Sequence, residues 1–232
     1  MFPHGRLALA ERYVGWLAGA GTERGLIGPR EVPRLWERHV LNCAVLEEWV
    51  PEGARVADIG SGAGLPGLVL ALARPDLEVT LVEPLLRRAT YLEEVAADLG
   101  LPVRVVRARA EDLHGREGFD VVTSRAVAPL DRLAGWCMPL VHAQGAMVAL
   151  KGASVADEVA EHRDVLLAHG TAVPEVRALG ADVLETPTWA VRVSWVGDAR
   201  VSWRVASDVG PGVPRGRRRT ASTRGARRKK HR

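Results

Sequence analysis

The segment Asp58-Ile59-Gly60-Ser61-Gly62-Ala63-Gly64-Leu65-Pro66-Gly67 constrains this chain more than any other. It follows a short apolar run at 55–58 and leads into an apolar helical stretch at 66–74. Glycines in a strand-to-helix turn permit left-handed backbone angles and let the main chain approach a ligand without intervening side chains. Beyond the turn the same alternation repeats. Runs at 78–83, 103–107, 119–124 and 146–151 read as strands, and stretches at 86–99, 129–140 and 154–169 read as helices. Alternation of this kind implies right-handed crossovers and a parallel sheet covered on both faces. The expected fold is α/β, a doubly wound, mostly parallel, Rossmann-like sheet. After residue 170 the helical pattern stops. Residues 189–196 and 201–205 both alternate around Gly197-Asp198, which predicts an antiparallel C-terminal edge.

Ahead of the sheet, residues 7–20 read as an amphipathic helix with Leu7, Ala10, Val14, Leu17 and Ala18 on one face. A second helix is predicted from near Pro33, a good first-turn residue, to about Trp49. Val32, Trp36, Val40 and Cys43 form its buried stripe, while Arg34, Arg38 and Asn42 share another face. Three segments follow from this reading: a helical lobe at 1–50, the sheet domain at 51–206, and a tail at 207–232.

Composition limits the options. The 232 residues are 47% hydrophobic, enough for a real core, and 26% charged, too many for a membrane bundle. The richest apolar stretch, 65–73, is broken by Pro66 and Gly67 and falls short of the ~20 residues of a span. No secretory pattern opens the chain, and two cysteines suit a reducing cytoplasm. The net charge of +4 conceals a division. Residues 213–232 carry ten Arg or Lys and no acid, leaving 22 cations against 28 acids in the body. The pI of 9.6 therefore belongs to the tail. With almost nothing apolar, the tail is expected to be disordered and to serve as an auxiliary polyanion-binding arm.

The glycine turn fits two templates. Gly62-x-Gly64-x-x-Gly67 matches the dinucleotide fingerprint of an NAD-dependent oxidoreductase, with Glu83 placed for a ribose. Gly60-x-Gly62-x-Gly64 preceded by Asp58 matches the glycine loop of S-adenosylmethionine-dependent methyltransferases, again with Glu83 on the ribose. Asp58 stands in a register that the dinucleotide fingerprint lacks. Ala110-Glu111-Asp112 follows the third strand, at the level of an adenine. A non-catalytic RNA-binding or ribosome-assembly protein of the same fold is a third reading.

Trp36-x-Arg38-His39-Val40, the Asp58 to Gly67 turn, Leu81-Val82-Glu83, Arg109-Ala110-Glu111, Ser124-Arg125-Ala126 and Leu150-Lys151-Gly152 occur in that order. In this ordered set the chain resembles the RsmG (GidB) family, over about residues 7–195. The resemblance implies a class I methyltransferase that transfers a methyl group from S-adenosyl-L-methionine to N7 of a guanine in bacterial 16S rRNA. It implies a cofactor site built from Gly60 to Leu65 with Glu83, Ala110, Glu111 and Arg125, and RNA contacts from basic residues at its mouth. Asp58 joins the cofactor set, and Arg38, His39 and Lys151 are the candidate RNA contacts. Arg125 is the candidate catalytic residue, either closing over the cofactor or hydrogen-bonding the guanine O6 edge. No metal is expected, and the protein is expected to act as a cytoplasmic monomer on 16S rRNA or the small subunit.

The chemistry agrees with what the sequence lacks. Methylation of an exocyclic amine usually calls for an Asp/Asn-Pro-Pro-aromatic turn after the fourth strand, where this chain has Ser124-Arg125-Ala126-Val127. Methylation of a pyrimidine carbon needs a cysteine nucleophile at a strand end, and Cys43 and Cys137 both fall in helical segments. Guanine N7 carries a lone pair and no hydrogen, so a site built for alignment suffices.

Overall fold

The structure, a computed structural model, describes residues 1–125 and 128–197. The predicted strand at 201–205, the basic tail and the Ala126-Val127 step lie outside the described residues. One seven-stranded sheet, in the order β3-β2-β1-β4-β5-β7-β6, organises the fold. Strands β1 (Arg55–Ile59), β2 (Glu78–Val82), β3 (Arg104–Val106), β4 (Phe119–Arg125) and β5 (Val141–Lys151) run parallel. β7 (Thr188–Ser194) pairs antiparallel with both β5 and β6 (Glu175–Leu179). Among the described residues the antiparallel edge contains the expected strand, β7, together with β6, which the sequence did not announce. The described partner of β7 precedes it in the chain. In β6, only Leu179 is buried, so its sequence carries little of the apolar alternation that marks a strand.

Alternation along each strand divides the core between two faces. Val56, Val79, Leu81, Val148 and Leu150 point to one layer. Ala57, Ile59, Val82, Met147 and Ala149 point to the other. The second layer is covered by α5 (Leu130–Cys137) and α6 (Val155–Ala168). The first is covered by α3 (Gly67–Ala73), α4 (Leu86–Leu99) and the N-terminal helices. Every residue of α3 is buried. A helix apolar on all sides needs a second cover beyond the sheet, and residues of α1 (Leu7–Trp16) and α2 (Asn42–Ala44) pack into the same cluster. The N-terminal segments are thus part of the solvent shield of the helix that follows the glycine turn.

The second predicted helix is a composite. A 3-10 turn at Pro29–Arg34, with Pro33 inside it, leads to a π turn at Trp36–Leu41, then α2, then a 3-10 turn at Val45–Trp49. Its stripe is as read, with Val40 and Cys43 fully buried and Val32 and Trp36 half-buried against the core. Tyr13 of α1, fully buried, donates from its hydroxyl to the Ala63 carbonyl at 2.9 Å. This bond ties the N-terminal helix to the glycine turn.

Candidate active site

Between β1 and β4 the direction of the crossovers reverses, the position where open α/β sheets receive ligands at their carboxyl ends. The glycine turn leaves β1 there. Its Gly60 and Ser61 amides both donate to the Val82 carbonyl of β2, at 2.9 and 3.2 Å. Gly60, Gly62 and Gly64 have φ of +71°, +57° and +96°, the left-handed region that favours glycine. Gly67 serves a different purpose. A Cβ there would lie 2.4 Å from Leu81 Cδ2 and 2.8 Å from Asp58 Cβ, so its bare backbone permits α3 to pack on the sheet.

Asp58 is fully buried beneath this turn. Its Oδ2 accepts from the Gly67 amide at 2.9 Å, while Oδ1 has no partner. Burial pushes the carboxyl up to about 7, partly opposed by the Gly67 amide, Ser61 and the charge of Arg125. Glu83, also buried, accepts from the Gly62 amide through Oε2 and from the Leu85 amide through Oε1, each at 3.0 Å. A carboxylate has about four acceptor positions, so two remain for a diol.

A cavity of about 440 Å³ opens beside the turn, at the ends of β1, β2 and β3. Ile59, Val82, Ala110 and Trp136 supply apolar walls; Glu83 and Glu111 supply acid. Ala110 and Glu111 begin a 3-10 turn at Ala110–Leu113, pinned where the Arg109 amide donates to Asp112 Oδ2 at 3.0 Å. Arg88, Arg132 and Trp136 also line this cavity, and sequence reasoning missed them. The Arg132 guanidinium lies 5.0 Å from the centroid of the Trp136 ring, a pairing with its fourth-residue neighbour on α5 that helical spacing could have suggested.

A second cavity, of about 540 Å³, opens at the ends of β4 and β5 against the N-terminal segments. Here the structure brings together Arg38, His39, Arg125 and Lys151, which lie far apart in sequence. Arg125 ends β4 and donates through Nη1 to His39 Nδ1 at 3.0 Å. His39 Nε2 lies 3.0 Å from Glu31 Oε2. Burial, and then the nearby Arg125 charge, hold His39 below the usual imidazole range, while Glu31 opposes both. Arg38 is half-exposed, with Nη1 3.5 Å from Glu31 Oε1. Lys151 is more committed. Its ammonium donates to the Ala128 carbonyl and to Glu158, both at 2.8 Å, and its side chain is 7% exposed. Arg34, Arg38 and Asn42 line an adjoining cavity of about 420 Å³, so the polar face read from their spacing borders this mouth. Cys43 and Cys137 are buried, and burial raises both thiols, Cys43 to about 11.

These features test the fit of each ligand. In a dinucleotide site the pyrophosphate rests on the helix N-terminus. Here the first amide of α3, Gly67, is already taken by the buried Asp58 carboxylate. An acid at that position opposes a phosphate and suits a cation. The free acceptor positions of Glu83 and the apolar walls at Ile59 and Trp136 fit the ribose and base of S-adenosylmethionine, while Asp58, buried beneath the turn and outside the cavity lining, braces the loop and supplies an acid beside it.

Sheet order, glycine turn and acid placement together define a class I, Rossmann-like, S-adenosylmethionine-dependent methyltransferase. A solved precorrin-6y C5,15-methyltransferase from Geobacter metallireducens shares the fold, with a TM-score of 0.50 at 16% identity over 74% of this chain and 91% of that one. The family model described as rRNA small subunit methyltransferase G (GidB) matches residues 6–185, and the chain belongs to that family. Among curated relatives named ribosomal RNA small subunit methyltransferase G, one from Nocardioides sp. is 63% identical over 208 residues, covering 89% of this chain and 83% of the relative. Another, from Mycobacterium marinum, is 58% identical over 198 residues, covering 84% and 86%.

Proposed function

We propose that this protein transfers a methyl group from S-adenosylmethionine to N7 of one guanine in 16S ribosomal RNA. The observation that carries the reading is the pair of cavities flanking the β1–β4 boundary, one bordered by Glu83 and the glycine turn and the other by Arg125. When bound, S-adenosylmethionine would supply an electrophilic methyl on a sulfonium for the N7 lone pair, the C–S electron pair staying with sulfur. Gly60, Gly62, Gly64 and Leu65 would shape the floor, Asp58 would place an acid beneath the turn that suits the ligand's positive charge, and Glu83 would hold its ribose. Ala110 and Glu111 border its base.

The attack leaves a cationic purine and no proton to remove. The side chains at the second cavity suit that demand. Both ring nitrogens of His39 are engaged, so it is not free as a base. Raised thiols at Cys43 and Cys137 are poor nucleophiles at neutral pH. What the site supplies is alignment, worth several kcal/mol when reacting atoms are held in near-attack geometry. Arg125 contacts guanine O6 or the cofactor, and Arg38, His39 and Lys151 border the RNA entry. The ten-cation tail tethers RNA by releasing counterions. The protein acts in the cytoplasm as a monomer; among the described residues no helix is long and apolar enough to cross a membrane.

The test is direct. Ribosomal RNA from cells with and without the protein is digested and searched by mass spectrometry for 7-methylguanosine. Its presence in both at equal level refutes the reading. Titration calorimetry with S-adenosylhomocysteine and NAD separates the two cofactor templates, since only the first should bind.

A further inference from the structure

Arg125 is held in an unusual way. Among the described residues no carboxylate lies within ion-pair distance of its guanidinium; its partners are His39 Nδ1 at 3.0 Å and the Cys43 sulfur at 3.9 Å. A guanidinium only donates, so the His39 Nδ1 it contacts must be a bare acceptor. The imidazole proton then resides on Nε2, which points at Glu31 Oε2, 3.0 Å away. Glu31 lies in the 3-10 turn Pro29–Arg34, 94 residues from Arg125 in sequence, and its other oxygen faces Arg38. His39 is nearly enclosed, with its side chain 14% exposed, so solvent does not choose its tautomer.

From this chain of contacts we propose that Glu31 is a positioning residue for methyl transfer. By accepting from Nε2–H it fixes the His39 tautomer whose bare Nδ1 holds Arg125 at the target cavity. The proposal rests on the methyl-transfer reading above. Its physical sense lies in charge. A carboxylate placed directly against Arg125 would orient it but neutralise it. A neutral imidazole orients the guanidinium and leaves its charge for the electron-rich guanine edge or phosphate. The negative charge of Glu31 stands one ring away.

The groups facing His39 are Arg125 from β4, Glu31 from the 3-10 turn and Arg38 from its own turn, with Lys151 of β5 across the cavity. Protonating Nδ1 would set two donors against each other, so the Arg125 contact is lost as pH falls through the His39 pKa. Burial and Arg125 depress that pKa; Glu31 is the group that raises it.

The experiment compares the full-length wild type with Glu31→Ala and Glu31→Gln. Nitrogen chemical shifts of histidine-labelled protein read the His39 tautomer, and methylation of small ribosomal subunits from cells lacking the protein is followed from pH 5 to 9. Wild-type His39 should carry its proton on Nε2 at pH 8. Glu31→Ala should lower kcat by roughly tenfold to a hundredfold, the range expected from a misaligned reacting group. It should also move the acid limb of the rate profile to lower pH. Glu31→Gln retains an acceptor without the charge, so it should recover most of the rate while the acid limb still moves down. Damage to folding alone would lower rate without that movement. A wild-type rate and acid limb in Glu31→Ala, or a proton on Nδ1 of the wild type, overturns the proposal. If wild-type protein adds no methyl group at any pH, the functional reading fails instead, and the nitrogen shifts judge the relay separately.

Discussion

Replacing Gly67 by alanine adds one methyl group where α3 meets the sheet. The new Cβ would lie 2.4 Å from Leu81 Cδ2 and 2.8 Å from Asp58 Cβ and Oδ2, so neighbours must retreat by about 1 Å to reach ordinary contact distances near 3.5 Å. Leu81 and Asp58 are both fully buried on β-strands and have no free direction. Overpacking of this kind costs about 1–3 kcal/mol, offset by up to ~1 kcal/mol of helix propensity. The net loss is roughly 1–2 kcal/mol, or about 2–8 °C in Tm for a chain this size. Because the displaced group is the Asp58 carboxylate, affinity for S-adenosylhomocysteine should fall as well. Two companion variants isolate the cause. Gly62→Ala has space, with its nearest atom at 3.7 Å, but a φ of +57°, so it should lose about 1–2 kcal/mol through backbone strain. Gly152→Ala meets nothing within 4 Å and should melt with the wild type. Thermal melts by circular dichroism and calorimetry with S-adenosylhomocysteine decide the matter. A Gly67→Ala protein with wild-type Tm and affinity would refute the packing argument, as would an equal loss in Gly152→Ala.

Three further outcomes follow from charge. Burial lifts Asp58 to about 7 in the folded chain, above its ordinary 3.8. The stability it contributes is therefore full below pH 4 and lost as pH rises through 7, and Asp58→Asn should abolish that slope. Urea melts of the cofactor-free proteins between pH 5 and 8 should diverge; parallel curves would mean Asp58 is ionised throughout. Arg125→Ala should reduce methylation by more than tenfold, as expected for a lost hydrogen bond to a charged group, with an unchanged melt; undiminished turnover would remove Arg125 from the site. Truncation after residue 212 should weaken RNA binding at low salt and flatten its salt dependence without altering binding of S-adenosylhomocysteine. An identical salt slope would show the tail to be a bystander.

The parallel part of the sheet was legible because β1, β2, β4 and β5 are strong apolar runs punctuated by glycine turns and helices. β6 was not. Glu175-Val176-Arg177-Ala178-Leu179 is an edge strand with only Leu179 buried, and propensity alone barely marks such a segment. The helical path at 29–49 was legible as helix, but apolar spacing did not reveal its 3-10 and π turns. Around the glycine turn, the register of Asp58 and Glu83 at strand ends places both carboxylates where they accept from its amides. Arg88, Arg132 and Trp136 were not legible, since a tryptophan on an amphipathic helix reads as core. Glu31 was hidden for another reason: it meets Arg125 only through His39, and no linear spacing records a contact across 86 residues.

The bond from Tyr13 to Ala63 has a consequence for how this protein could be rebuilt. The first helix is a strut against the glycine turn, and the segment after it carries Glu31 and His39 to the cavity at the ends of β4 and β5. A chimera that exchanged the first fifty residues to redirect RNA choice would therefore disturb both floors at once. Such a chimera should therefore be judged by its melt and its affinity for S-adenosylhomocysteine as well as by methylation, because one helix braces the glycine turn from outside the sheet domain.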